Sequence, residues 1–104
     1  MEEEVSGLKE KMKTEKTLKR ASMEFCQGTL DNKEVVVVRC GIGKVNAAIC
    51  TQILVDEFKV NAIINTGIAG SLKNEINIGD IVLSSDTLQH DMDATGFGYE
   101  YGVI

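Results

Sequence analysis

The stretch CGIGKVNAAI, residues 40–49, follows an unbroken run of four valines, Val35–Val38, with only Arg39 between them. A run of β-branched residues favours a strand. The apolar residues from Val45 onward instead recur at the three- and four-residue spacing of one helix face. Gly41 and Gly43 stand between the two patterns and allow the chain to turn there. The stretch therefore predicts a strand that ends at Arg39, a glycine corner and a helix that begins near Lys44.

This predicted helix runs to about Lys59, with an apolar stripe made of Val45, Ala48, Ile49, Ile53 and Leu54. The apolar run Val60–Asn65 predicts a second strand, which leads into another glycine corner, INTGIAGSL at residues 64–72. Strand, helix and strand in this order form a parallel, right-handed unit, so we expect both corners at the carboxyl edge of one sheet. A third strand is predicted at Ile81–Ser85, after the turn NIGD.

Upstream of the valines, Val5, Leu8 and Met12 share one face of a short helix that begins near Glu2. The sequence DNKE predicts the turn of a β-hairpin whose second strand is the valine run. Between these elements, the basic cluster Lys9–Arg20 alternates with glutamates, and we interpret it as the solvated face of a helix.

Composition limits the class of protein. With 104 residues, 43% apolar and 26% charged, the chain supplies at most one small soluble domain. Its net charge of −5 argues against nucleic acid as a partner, because such affinity comes largely from cationic residues. No apolar run approaches the roughly 18 residues of a membrane span, and the acidic MEEE opening is unlike a signal peptide. We therefore expect a cytoplasmic protein.

The thiols and the imidazole predict neither a metal centre nor a cofactor. Three cysteines, Cys26, Cys40 and Cys50, are odd in number and lack C-x-x-C spacing, and His90 is the single histidine. We expect reduced thiols that are mostly buried, and no bound metal.

The residues alone leave three questions open. Each glycine corner is equally compatible with an ordinary turn and with a ligand site, since neither matches a dinucleotide fingerprint or a P-loop. The acidic run contains Glu2, Glu3 and Glu4. Either these residues only complement a helix dipole, or one of them is a catalytic acid or base, and their position in the sequence does not show which one. The alternating aromatics Phe97, Tyr99 and Tyr101 form the core face of a strand or an interface.

Five motifs answer these questions together: MEEEV, GIGKVNAA, INTGIAGSL, IGDIVLS and HDMDATGFGYEYG. In this order and at these spacings they resemble the amino-terminal half of bacterial 5′-methylthioadenosine/S-adenosylhomocysteine nucleosidases, over essentially the whole chain. The resemblance implies the fold of the purine nucleoside phosphorylase superfamily, a three-layer α/β sandwich with a central mixed sheet. It also implies that residues 1–104 are a partial domain, which lacks the family's first strand and its carboxyl-terminal half.

The resemblance assigns roles residue by residue. Glu4 matches the family's acidic residue that activates the attacking water. Substrate-binding positions are matched by Met1 and Ile42, beside the ribose and the alkylthio tail, and by Ile68, Ala69 and Gly70, under the sugar. Ala94, Phe97 and Tyr99 match residues that, in a homodimer, enter the alkylthio pocket of the neighbouring subunit. The family usually has serine where Ile68 stands, so one sugar hydrogen bond is in question.

The implied reaction is hydrolysis of the N-glycosidic bond with release of adenine. Related phosphorylases hold phosphate with an arginine and a serine at the second corner, where this chain has Asn65 and Ile68. An amide and an alkyl group do not replace a guanidinium and a hydroxyl on a dianion. Because the implied proton donor to adenine and the ribose-binding glutamate lie outside this chain, we expect the chain alone to be inactive. The alternatives are a non-catalytic fragment that only self-associates, and a futalosine-type nucleosidase.

Overall fold

The computed structural model describes residues 2–103, which separate into two units, one ending at Gly70 and one beginning at Ser71. The first unit contains the long helices and the sheet: α1 (Glu2–Lys11), β1 (Lys13–Arg20), β2 (Met23–Leu30), β3 (Lys33–Val38) and α2 (Lys44–Phe58). The second unit contains a short 3₁₀ helix, Thr95–Phe97. The predicted first helix, the hairpin that ends in the valine run and the helix after the first glycine corner are confirmed.

The three strands form an antiparallel sheet in the order β1-β2-β3. Two-residue turns join them, and all four turn residues have positive φ: 48° at Ala21, 62° at Ser22, 50° at Asp31 and 62° at Asn32. Positive φ at both central positions gives a turn whose twist matches that of the flanking strands. The DNKE sequence therefore makes the predicted hairpin turn, and Leu30 pairs with Lys33 across it.

The interpretation of the basic cluster as a helix face is wrong from Lys13 onward. Residues Lys13–Arg20 are strand β1, in which Leu18 pairs with Phe25 of β2. Its side chains are solvent-exposed apart from the half-buried Leu18, so the expected solvation is retained in a different element. Lysines on such an outer strand discourage pairing with another chain.

Apolar side chains pack on both faces of the sheet. Successive residues of a strand point to opposite faces, so Phe25 and Cys26 belong to different cores. The core on the α1 side contains Val5, Met12, Cys26 and Val37, and the core on the α2 side contains Met23, Phe25, Cys50 and Leu54. The rings of Phe25 and Phe58 stack with centroids 5.4 Å apart. Helix, sheet and helix form three layers, which confirms the predicted α/β architecture.

Helix α2 buries only the end of the predicted stripe, where Leu54 is buried and Ile53 packs against the core on the α2 side. Cys50 and Leu54 are buried, whereas Val45 is 73% exposed and Ile49 is 40% exposed. The prediction fails for these two residues because only the later turns of α2 pack on the sheet. Burial and then the nearby Cys40 raise the pKa of the Cys50 thiol, which keeps it protonated. Cys26, Cys40 and Cys50 are free thiols, and Cys26 and Cys50 are buried, as expected.

The two predicted downstream strands are not formed. Within residues 2–103, the segments Val60–Asn65 and Ile81–Ser85 belong to neither a helix nor a strand. A strand needs a hydrogen-bonding neighbour, and an apolar run specifies only that its side chains favour burial. The parallel unit predicted around α2 is consequently absent from the part of the chain that is described, where the sheet is antiparallel. Over the same part, no helix is long and apolar enough to cross a membrane.

Candidate functional site

The carboxylate of Glu4 contacts the second glycine corner. Helix α1 places Glu4 in its first turn, where it is half-buried, and Oε1 accepts a hydrogen bond from the backbone N–H of Ile68 at 3.2 Å. The preceding residue, Gly67, allows this approach, because a Cβ atom there would lie only 3.1 Å from Oε1. The contact thus depends on the backbone N–H of Ile68 and on the absence of a side chain at Gly67.

Hydrogen bonds to the Glu4 carboxylate lower its pKa below the ordinary value of 4.5, and the backbone N–H of Ile68 is one of the donors. Donors that point at a carboxylate stabilise its ionised form more than its protonated form. Glu4 is therefore an anion at neutral pH and can accept a proton or polarise a water molecule.

The other two glutamates of the first turn have different surroundings. One carboxylate oxygen of Glu2 lies 3.0 Å from Nη1 of Arg39, and the other lies 3.8 Å from Nζ of Lys9. Glu3 is exposed, and its backbone carbonyl accepts a hydrogen bond from the Ser6 hydroxyl at 3.4 Å. Three residues that are chemically alike in sequence thus occupy three distinct environments.

A mostly apolar cleft of about 820 Å³ lies beside Glu4. Glu4, Val5 and Leu8 of α1 form one wall, and residues 33–41, from β3 and the segment after it, form another. The segment from Lys59 to Thr66 closes a third side. The Glu4 carboxylate thus borders a mostly apolar space whose lining also includes the charged residues Lys33, Glu34, Arg39 and Lys59. A mostly apolar lining with a few polar groups is typical of small-molecule sites.

Ile42 lines a second cleft, of about 610 Å³, together with Glu2 and Glu3. The two clefts share Arg39, Cys40 and Gly41, so they are neighbours, but Glu4 borders only the first and Ile42 only the second. The structure therefore brings Glu4 and Ile68 together and places Ile42 in an adjoining space.

The first glycine corner is held from the helix side. Gly41 and Gly43 have φ of 89° and 93°, a region that side chains rarely adopt. Nδ2 of Asn46, in the first turn of α2, donates a hydrogen bond of 2.7 Å to the carbonyl oxygen of Ile42. The side chain of Ile42 itself is 90% exposed.

The remaining predicted residues fall in three places. Ile68 is 76% exposed, and Ala69 and Gly70 are exposed beside it at the end of the first unit. In the second unit, Ala94 precedes the 3₁₀ helix and accepts a hydrogen bond from the N–H of Phe97 at 2.9 Å. Phe97 is 87% exposed and Tyr99 is 52% exposed. Met1 lies outside the described residues.

Three residues that frame this region were missed from the sequence: Gly67, Arg39 and Asn46. Gly67 could have been noticed as the first glycine of the second corner, where a close approach is common. Asn46 stands three residues after Gly43 at the predicted helix start, a position from which side chains often bond back to the backbone. Over residues 2–103, no group of three or more His, Cys, Asp or Glu side chains could hold a metal ion.

The family model described as the Phosphorylase superfamily matches residues 1–103. The chain belongs to this superfamily. It is 51% identical over 104 residues to the 5′-methylthioadenosine/S-adenosylhomocysteine nucleosidase of Staphylococcus aureus (strain JH9), a match that covers all of this chain and 46% of that protein. The resemblance stated from the sequence is thereby confirmed.

Solved structures of this superfamily share the fold. A nucleosidase of the same name from Colwellia psychrerythraea 34H, crystallised in complex with adenine, has a TM-score of 0.95 and 49% identity, covering 100% of this chain and 43% of that one. The futalosine hydrolase of Helicobacter pylori strain 26695 has a TM-score of 0.88 and 30% identity, with coverages of 100% and 45%. These matches confirm the predicted phosphorylase-like fold. The chain spans less than half the length of each of these relatives.

Proposed function

We propose that the protein that carries this chain hydrolyses the N-glycosidic bond of 5′-methylthioadenosine and S-adenosylhomocysteine and releases adenine. The support is similarity to proteins of that name, at 51% identity in one case and with bound adenine in another. Similarity to the futalosine hydrolase is lower, at 30% identity, so a methylthioadenosine-type substrate is preferred over futalosine.

The observation that carries the proposal is the hydrogen bond from the Ile68 N–H to Glu4, which holds an ionised carboxylate at the second glycine corner. In the proposed reaction, Glu4 polarises the attacking water while positive charge develops on the sugar in an oxocarbenium-like transition state. A carboxylate with a lowered pKa remains in the required ionised form throughout the neutral range.

Water rather than phosphate is the proposed nucleophile. The second corner contains Asn65 and Ile68, and neither side chain supplies a positive charge. A phosphate dianion needs charge-assisted donors such as arginine to bind in competition with water.

Substrate-contacting roles are proposed for Met1, Ile42, Ile68, Ala69 and Gly70. Ala94, Phe97 and Tyr99 would enter the neighbouring subunit's alkylthio pocket in a homodimer, and the large exposure of Phe97 supports a role at an interface. We further propose that the protein acts in the cytoplasm, without a metal, a cofactor or nucleic acid. The 104-residue chain alone is proposed to be inactive, since the resemblance assigns the adenine proton donor to a position outside it.

The test uses the full-length protein and follows release of the free purine base by liquid chromatography from methylthioadenosine, S-adenosylhomocysteine and futalosine, each with and without inorganic phosphate. We expect adenine and free methylthioribose from the first substrate at equal rates in both buffers. A strict requirement for phosphate, or formation of a sugar phosphate, would overturn hydrolysis. Turnover of futalosine in preference to the other two substrates would favour the futalosine-type alternative.

A further inference from the structure

The first glycine corner contains a hydrogen bond that the proposed reaction does not use directly. Nδ2 of Asn46 lies 2.7 Å from the carbonyl oxygen of Ile42, four residues earlier in the chain. This bond ties the first turn of α2 to the corner that precedes it. The residue at the start of this helix, Gly43, has no side chain with which to cap it.

The corner needs such a tie because its own residues hold it weakly. Glycine has more backbone freedom than any other residue, and two of the three residues between Cys40 and Lys44 are glycines. The Ile42 side chain between them is 90% exposed, so packing does not fix its direction. A Cβ atom on Gly41 would lie 3.3 Å from Nδ2 of Asn46, which shows how closely the amide covers the corner.

We propose that Asn46 is a positioning residue for substrate binding. By holding the Ile42 carbonyl, its amide sets the direction in which the Ile42 side chain leaves the backbone, toward the sugar and the 5′-alkylthio tail of the nucleoside. This inference rests on the proposed function. It deepens that proposal by assigning part of the affinity for the sugar end of the substrate to a side chain that does not touch it.

The substitution Asn46→Asp tests the proposal, because aspartate has the same shape but presents an oxygen where the amide donates. A matched control exists on the same helix: Nε2 of Gln52 donates to Oδ2 of Asp56 at 2.8 Å, away from the corner. Gln52→Glu makes the same chemical change there. Asn46→Ala removes the donor without adding charge and serves if the aspartate variant does not fold.

The first measurement is hydrogen exchange of the backbone amides of residues 41–47, which requires no catalysis. We expect faster exchange in Asn46→Asp and Asn46→Ala, including at the Ala47 N–H that bonds to the Gly43 carbonyl at 3.1 Å. Gln52→Glu should leave this segment unchanged. Unchanged exchange in both Asn46 variants would overturn the positioning role, whatever the enzyme does.

The second measurement is steady-state kinetics of the full-length protein. We expect the KM for methylthioadenosine to rise roughly threefold to tenfold in both Asn46 variants, as for loss of one hydrogen bond, with kcat changed less than about twofold. Inhibition by free adenine, which lacks the sugar and the tail, should be unaffected. An unaltered KM despite faster exchange would overturn the link between Asn46 and the substrate.

Failure of the two proposals can be told apart. If the wild-type protein releases no purine base from any of the three nucleosides, the proposed function fails. The assignment of this corner to substrate binding then fails with it, even where hydrogen exchange shows that Asn46 holds the corner. If the wild type is active but adenine inhibition weakens as much as the KM rises, Asn46 affects the whole site, and the specific role at the sugar end is overturned.

Discussion

The backbone N–H of Ile68 donates a hydrogen bond to Oε1 of Glu4 at 3.2 Å, although the two residues are 64 positions apart in the sequence. The donor belongs to the backbone, so this bond does not depend on the side chain at position 68. The family resemblance implies serine at this position, and the hydrogen bond to Glu4 is retained with isoleucine there.

Replacing Glu4 tests its proposed role as the group that activates water. Glu4→Gln keeps an acceptor oxygen for the Ile68 N–H but removes the negative charge, so we expect kcat of the full-length protein to fall by about 10²–10⁴. The equivalent changes at Glu2 and Glu3, for which the structure gives no hydrogen bond to Ile68, should alter kcat by less than about threefold, as expected for exposed charges. Equal losses at all three positions would remove the case for Glu4.

Gly67 controls how closely the corner approaches the carboxylate. In Gly67→Ala the new methyl group would lie 3.1 Å from Oε1, so the carboxylate must move and its hydrogen bond to Ile68 weakens. We expect the pKa of Glu4 to rise toward its ordinary value of 4.5, measured by carbon NMR of the side-chain carboxyl. Gly70→Ala is the control for this pKa, since nothing lies within 4 Å of a Cβ atom there. An equal shift in both variants would contradict the proposed contact.

The turn between β1 and β2 stores backbone strain. Ser22 has a φ of 62°, in the left-handed region that costs most residues about 1–2 kcal/mol. Ser22→Gly should therefore raise the free energy of unfolding by roughly 0.5–1 kcal/mol, after allowance for the extra freedom of glycine in the unfolded chain. Asn32 occupies the same position in the β2–β3 turn and also has a φ of 62°. Asn32→Gly should raise the free energy of unfolding by less, because asparagine tolerates this region. Urea unfolding measures the free energy of unfolding of both variants. A larger increase in Asn32→Gly than in Ser22→Gly would refute the predicted strain at Ser22.

The pKa of Asp93 predicts a pH dependence in the second unit. The hydroxyl of Thr95 donates to Oδ1 of Asp93 at 2.6 Å and its backbone N–H does so at 3.1 Å, and in that order they lower the pKa below 3.8. A lowered pKa means that this stabilisation is fully present above pH 3.8 and is lost as the pH falls through the folded-state value.

Thr95→Val removes the hydroxyl and should raise the pKa of Asp93, as followed by an NMR titration of its carboxyl carbon. The amide signals of Thr95–Phe97 should then change at a higher pH than in the wild type. Thr87→Val, which removes a hydroxyl from another part of the same unit, is the control. If Thr95→Val leaves the titration of Asp93 unchanged, the hydrogen bond from the hydroxyl is not its cause.

Elements with strong local signals could be predicted from the sequence. Helix α1 follows from the spacing of Val5 and Met12 with acidic residues in its first turn, and α2 from the glycine corner and the periodic apolar residues that follow. The β2–β3 hairpin follows from the Asp31–Asn32 turn and the valine run. In each case the deciding interactions lie within a few residues, so a local pattern contains the necessary information.

Elements that depend on a distant partner could not be predicted in this way. The basic segment Lys13–Arg20 became a strand because β2 offers it a hydrogen-bonding edge, whereas the apolar segments Val60–Asn65 and Ile81–Ser85 are not strands in the described part of the chain. Strand identity is a property of a pair of segments, and hydrophobicity reports only the tendency of one of them to be buried.

The candidate site divides in the same way. The sequence by itself determined that acidic residues open α1 and that glycines end two apolar runs, since composition and spacing are visible in the chain. Composition and spacing did not distinguish Glu4 from Glu2 and Glu3. Apart from the family resemblance, only the tertiary structure separates them, because three consecutive carboxylates are chemically identical until their neighbours are known. Packing directs one of them to the Ile68 N–H and another to Arg39, and a hydrogen bond between residues 64 positions apart leaves no periodic trace in the sequence.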